Sequence, residues 1–348
     1  MIGIRFGGNS EIDFLEVPDP TPGPGEVVLE MKASGMCGSD LKLFRAPPGT
    51  VSAARVINTE PIIAGHEPCG VVAAIGPGVS PEEARIGARV MVHHYWGCSV
   101  CDHCRSGWAQ MCSHSLPRVY GVNAHGGHAP YLKVPARTLV PLPDELSFEA
   151  GAAISCGTGT AYSGLRKINT SGNDTIAIFG QGPVGLAAAQ LAAAMGARVI
   201  ALDTNPKRLE LSPAFGASHV VNPAAEDAVA AIRELTKGRG ADLVLETSAS
   251  PAARAASIQC TRPWGSICLV GTGGKMTVDN VSDITRNQLT IVGSWTFSNV
   301  GQAECTRFIA ERAIPVDKVF THRWQLAQAQ QAYEVFGEQN AGKGVFVM

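Results

Sequence analysis

One stretch limits what this chain can fold into more than any other: the apolar segment TIAIF, then Gly180-Gln-Gly182-Pro183-Val184-Gly185, then LAAAQLAAAM. A GxGxxG match says little alone, but between a strand and a helix each glycine has a physical use. Gly180 allows the tight turn, Gly182 lets a pyrophosphate approach the backbone, and Gly185 lets the helix pack closely on the sheet. Backbone N–H groups in the helix turn opened by Pro183 and Val184 then face the phosphates. Eighteen residues beyond Gly185 the segment ARVIAL leads to Asp203, whose carboxylate can accept from both hydroxyls of an adenosine ribose. A 2'-phosphate there would meet like charge, which favours NAD, while Lys207 and Arg208 follow closely enough to leave NADP open. A glycine turn in an α/β protein that binds nothing is the plainer alternative.

Around that turn, apolar segments TIAIF, ARVIAL, HVV, ADLVLE, SICLV and LTIVG alternate with helix-like stretches such as NPKRLELSPAF and EDAVAAIRELTK. Such alternation predicts a parallel sheet covered on both faces, and six strands match a complete doubly wound, dinucleotide-binding fold. Before about residue 155 the texture differs: short apolar stretches such as EVVLEMKASG, PCGVVAAIG and GARVMVHHYW are broken by Gly and Pro, predicting a mostly β domain. From about 294 a further helical stretch, QLAQAQQAYEVF, precedes a strand-like GVFVM, and periodicity does not say where this segment docks. The division expected is therefore 1–155, 156–293 and 294–348.

With 348 residues, 45% of them hydrophobic, and a formal charge of -2, the chain can bury a large core and offers no electrostatic footprint for nucleic acid or an anionic membrane. No apolar run reaches about eighteen residues, and MIGIRFGGNSEIDF has charges where a signal peptide needs an uninterrupted apolar stretch. The expectation is a cytoplasmic protein whose partners are small molecules.

Four of the ten cysteines, Cys98, Cys101, Cys104 and Cys112, lie in GCSVCDHCRSGWAQMC. Thiolates at that spacing can converge on one tetrahedral zinc, with free thiols or a redox pair as the alternatives. A site closed by four protein ligands has no place for substrate, so its role is to fix a loop. His103 is a conceivable substitute ligand in the same lobe. Cys37 in GMCGSDLK, His66 in AGHEPCG and Cys156 in AISCGTGT are separate pieces. Singly, each reads as an ordinary buried or hydrogen-bonded residue.

Together, Cys37-Gly-Ser39-Asp40, Gly65-His66-Glu67, the four-cysteine lobe and the glycine turn stand in an order that resembles the zinc-dependent medium-chain dehydrogenases, the alcohol and polyol dehydrogenase family. The resemblance covers essentially the whole chain. It implies a GroES-like catalytic domain, a Rossmann domain for NAD, and a C-terminal segment returning to the catalytic part. It also implies a catalytic zinc held by Cys37, His66 and Cys156, besides the structural zinc of the lobe. Asp40 would hydrogen-bond the liganding His66 and fix its tautomer, Glu67 would lie near the metal, and Thr160 would lie against the nicotinamide. In relatives a proton leaves through the serine hydroxyl, here Ser39, and the cofactor ribose to a histidine, whose position holds Lys42. An unperturbed lysine titrates at about 10.4, so Lys42 suits that role only if burial or nearby positive charge lowers its pKa. Otherwise the relay ends in water.

The segment LFRAPPGTVSAARVINTEP is longer than expected of such relatives and would shape substrate entry. His93, His94 and Tyr95 fall where relatives place substrate-pocket side chains, and their polarity would suit a hydroxyl-rich substrate. The expected activity is reversible oxidation of a secondary alcohol or polyol to a ketone with NAD, in a homodimer or homotetramer. The competing readings are a zinc-free quinone or enoyl reductase on the same scaffold and a non-catalytic nucleotide-binding module.

Overall fold

Alternate residues of the strand Glu26–Gly35, namely Val27, Leu29 and Met31, are buried with Val72, Val90, Leu132 and Val134 in one apolar cluster. Side chains two apart share a face of a strand, and each one fully buried contributes roughly 1.5–3 kcal/mol. A computed structural model describes residues 1–47, 61–340 and 342–348. The chain divides into two compact units: Met1–Cys156 with Phe297–Gln339 and Lys343–Met348, and Gly157–Thr296 with Asn340–Gly342.

In the first unit a seven-stranded sheet runs in the order Phe320–Trp324, Lys343–Val347, Glu26–Gly35, Glu67–Ile75, Arg89–Val92 and Leu139–Pro141, and Tyr131–Pro135 also pairs with Glu26–Gly35. The register decides where the chemistry-bearing residues stand. Gly35 lies opposite Glu67, and Val345 lies opposite Gly35 on its other side. Cys37, His66 and Lys343, each one or two residues beyond those pairs, therefore meet at one end of the sheet. The final segment docks here, adding two strands and the helix Ala329–Gly337, whose Ala332, Tyr333 and Phe336 pack with Met36, Leu41, Phe44 and Phe346.

The second unit holds a six-stranded sheet, all parallel. Its order, Ala217–Val221, Arg198–Leu202, Thr175–Phe179, Ala241–Glu246, Thr261–Leu269, Thr290–Gly293, reverses at the strand that leads into the glycine turn. These are the six segments read from the sequence, in the doubly wound arrangement. Among the described residues no helix is long and apolar enough to cross a membrane.

Candidate active site

Cys37 stands two residues beyond the strand Glu26–Gly35 and caps the helix Gly38–Arg45 that carries Ser39, Asp40 and Lys42. Asp40 accepts the Cys37 backbone N–H at 2.9 Å, so the residue that closes the helix start is also held against the cluster. Its other oxygen lies 2.9 Å from His66 Nδ1, leaving Nε2 to face inward. Cys156 arrives from a distant part of the chain, in the π-helical turn Ile154–Thr158 between the helices Phe148–Ala153 and Gly159–Lys167. Widened turns of this kind are frequent at functional sites because they re-aim side chains and free carbonyls. Here the Ser155 carbonyl accepts from His94 Nδ1 at 2.8 Å, and the His94 ring stands 5.4 Å from that of His66.

Ligand atoms of Cys37, His66, Glu67 and Cys156 all lie within 4.8 Å of one another. Thiolates around a tetrahedral zinc at about 2.3 Å stand about 3.8 Å apart. The Cys37 and Cys156 sulfurs are 3.9 Å apart, so the donor set fits the ion. Contact with the Cys156 thiol and then, against burial, His66 and Lys343 hold Cys37 well below the usual thiol range, while Cys37 and burial push Cys156 well above it. Lys343 holds both oxygens of Glu67, with both side chains essentially out of water. Ser39 Oγ lies 3.4 Å from His66 Nε2.

The four lobe cysteines form a second cluster with ligand atoms within 4.8 Å of one another, and Cys98 and Cys104 sulfurs are 3.9 Å apart. Backbone N–H groups of Ser113 and Cys104 hold Cys101 down to about 6. Cys112 is pulled down to about 5, despite burial, by the Ser115 hydroxyl and the N–H groups of Cys98, His114 and Ser115. Burial and the neighbouring sulfurs push Cys104 up to about 12. His103 is exposed on the helix Asp102–Arg105 and outside this ligand group.

In the second unit Gly180 has φ +91°, open to glycine at little cost, and a Cβ on Gly185 would lie 1.7 Å from the Gly180 carbonyl oxygen. Around Gly182 a Cβ would meet only Arg208, at 3.9 Å, so the backbone there is open to approach. Pro183 and Val184 start the helix Pro183–Ala194, half-buried. Asp203 accepts N–H bonds from Gln181 at 2.6 Å and Asn205 at 2.8 Å, one on each oxygen, with Arg208 3.7 Å away. A carboxylate offers about four acceptor positions, so both oxygens keep capacity for ribose hydroxyls. Thr160 is buried in the helix Gly159–Lys167.

Lys42 is exposed, so the burial that would fit it to end a proton relay is absent. The long segment beyond Cys37 falls mostly at 48–60, outside the described residues. His93, by contrast, is buried, with the side chains of Gln110 and Gln302 beside its ring as hydrogen-bonding neighbours. Gln302, Lys343, Tyr333 and His128 were missed in the sequence. Only Lys343, a cation opening the apolar strand Lys343–Val347, leaves a local trace.

The all-parallel sheet with its glycine turn and the β unit with two sulfur-rich clusters define a class: α/β oxidoreductases with a GroES-like and a Rossmann-type unit. Residues 23–144 match the alcohol dehydrogenase GroES-like domain and residues 183–311 the zinc-binding dehydrogenase domain. The chain belongs to the zinc-type medium-chain alcohol dehydrogenase family. It is 37% identical to an uncharacterized zinc-type alcohol dehydrogenase-like protein, YphC, of Escherichia coli K12, over 99% of this chain and 98% of that one. It is 32% identical to an L-threonine 3-dehydrogenase of Pyrococcus horikoshii, over 97% and 95%. The structure of an alcohol dehydrogenase, TADH, from Thermus sp. ATN1 superposes with a TM-score of 0.89 at 28% identity, covering 100% of this chain and 99% of that one.

Proposed function

We propose that this dehydrogenase oxidises a secondary alcohol, and best a polyol, to a ketone with NAD, using a zinc held by Cys37, His66 and Cys156. The observation that carries the reading is the convergence of those three donors from three separate segments, with a sulfur spacing that suits a tetrahedral ion. Bound there, zinc supplies Lewis acidity toward an alcohol oxygen and NAD supplies the hydride acceptor. The residues do the rest. Asp40 keeps His66 in the tautomer whose Nε2 lone pair points inward. Lys343 engages both oxygens of Glu67, which keeps that carboxylate from closing the fourth position. Ser39, exposed on one side and 3.4 Å from His66 Nε2 on the other, is placed to take the alcohol proton toward solvent. The four lobe cysteines hold a second, structural zinc.

NAD over NADP follows from Asp203, whose remaining acceptor positions suit two ribose hydroxyls and repel a phosphate. Preference for a polyol is supported by the polar rings beside the cluster, His94 5.4 Å from the ring of His66 and His93 6.0 Å from that of His94. Burial pushes His93 down to about 4, so at neutral pH its ring is uncharged, one nitrogen a donor and the other an acceptor.

Metal analysis and a panel of mono-alcohols, diols and polyols with NAD test this. Two zinc per chain and faster NAD reduction with polyols are expected. A chain with a single zinc, or one that reduces NAD with none of the alcohols, overturns it.

A further inference from the structure

A line of buried polar groups runs from His66 through Asp40 into the first unit. His66 Nδ1 lies 2.9 Å from one oxygen of Asp40, and the other oxygen lies 3.3 Å from the Tyr333 hydroxyl. That hydroxyl is 2.8 Å from His128 Nε2, and His128 Nδ1 is 2.8 Å from Ser34 Oγ. Asp40 is 2% exposed, and Tyr333, His128 and Ser34 are fully buried. Bulk water therefore supplies none of these bonds.

The protons along the line can be placed. Burial pushes His128 down to about 4, so its ring is neutral and carries one N–H. A carboxylate only accepts, so at the Asp40 end the tyrosine must donate. The tyrosine oxygen must then accept from His128 Nε2–H, which leaves Nδ1 to accept from the Ser34 hydroxyl. Every donor finds an acceptor in this one direction. Reversing it would set the tyrosine oxygen's lone pairs against the carboxylate.

The line is also mechanically fixed. The Tyr333 ring packs against Phe6 at 5.0 Å and Phe44 at 5.5 Å, and the His128 ring against Phe346 at 4.7 Å. Backbone N–H groups of Gly126, Gly127 and His128 bond to the carbonyls of Ile63, Gly65 and Ala64, the residues leading into His66.

We propose that Tyr333 and His128 are positioning residues for the zinc at Cys37, His66 and Cys156, acting through Asp40: their aligned bonds fix the carboxylate that orients the His66 imidazole. This rests on the zinc reading above. Hydrogen-bonding partners behind a metal-bound histidine typically set metal affinity by about 10–100-fold.

The test follows zinc release to a chelator in the full-length, zinc-loaded chain, with the two release phases assigned by Cys156→Ala. In Tyr333→Phe the phase belonging to Cys37, His66 and Cys156 should quicken about tenfold while the lobe phase is unchanged. The visible bands of the cobalt-substituted protein should shift as well. In an Asp40→Asn background Tyr333→Phe should have no further effect, because the group it acts through has changed. His128→Gln, which keeps a donor, should lie between wild type and His128→Leu, and this pair serves if Tyr333→Phe does not fold. Unchanged release and bands in a folded variant, or an equal effect in the Asp40→Asn background, overturn the inference alone. A wild-type chain that binds only the lobe zinc overturns it together with the dehydrogenase reading.

Discussion

Lys343 and Glu67 are paired with 2% and 0% of their side chains exposed; burial pushes Glu67 up to about 8 even against Lys343, and removing one partner leaves the other in a medium that cannot solvate its charge. Lys343→Met should therefore cost about 3–5 kcal/mol in urea unfolding, and adding Glu67→Gln should restore most of it. An effect under about 1 kcal/mol for the single variant would mean that water reaches the pair. Cys156, the proposed zinc ligand that arrives latest in the sequence, lies in the turn Ile154–Thr158, outside the strands. Cys156→Ala should lose one zinc and more than about a hundredfold in turnover, beyond the range seen for outer partners, while NAD binding by calorimetry stays near wild type. Full activity in that variant would sink the ligand assignment. At Asp203, conversion to Gly should relax discrimination against NADP by at least about tenfold in kcat/KM, an ordinary loss for one charge contact of roughly 1.4 kcal/mol.

At the scale of elements, the cysteine lobe has little regular structure to hold it: a four-residue helix, Asp102–Arg105, a three-residue turn, Ala109–Met111, and the short pair Tyr95–Trp96 with Arg118–Val119. Its order is expected to come from the metal, as in other small sites where binding energy is folding energy. Cys101→Ser should release the lobe zinc and lower the melting temperature by about 4–8 °C, the shift that about 2 kcal/mol produces in units of this size. Differential scanning calorimetry with parallel metal analysis checks it. An unchanged melting temperature after loss of that zinc would show the lobe to be held by packing instead. The π-helical turn Ile154–Thr158 was not legible in AISCGTGT, because nothing local distinguishes it from a regular helix. Its reason is tertiary: His94 takes the Ser155 carbonyl, and the Ser155 hydroxyl reaches the Pro68 carbonyl at 3.2 Å.

For the molecule as a whole, acid sensitivity is built into two buried histidines outside the ligand cluster. His93 and His128 are both pushed down to about 4 by burial, whereas an ordinary histidine titrates near 6.5. The unfolded chain thus takes up protons that the fold refuses, so the stability is intact above about pH 6.5 and falls as the pH drops toward 4. At pH 5 each histidine should account for about 2 kcal/mol of loss. Urea midpoints at pH 7 and pH 5 should differ less in His128→Phe than in the wild type, and equal differences would refute the assignment. The six parallel strands and the glycine turn were readable from the sequence because their signals are local. A run of apolar residues, a required φ and an alternating period each act within a few positions. Cys37, His66 and Cys156 were readable as candidates only as a set, through their order along the chain. What brings them together is the register of Glu26–Gly35 against Glu67–Ile75 and the turn at Cys156. Tyr333, His128 and Gln302 lie beyond sequence reasoning for the same reason. A buried polar side chain is defined by partners up to 293 positions away, as Tyr333 is by Asp40. Local physics decided which strands and turns form; only closing the fold decided which polar groups would share a space without water.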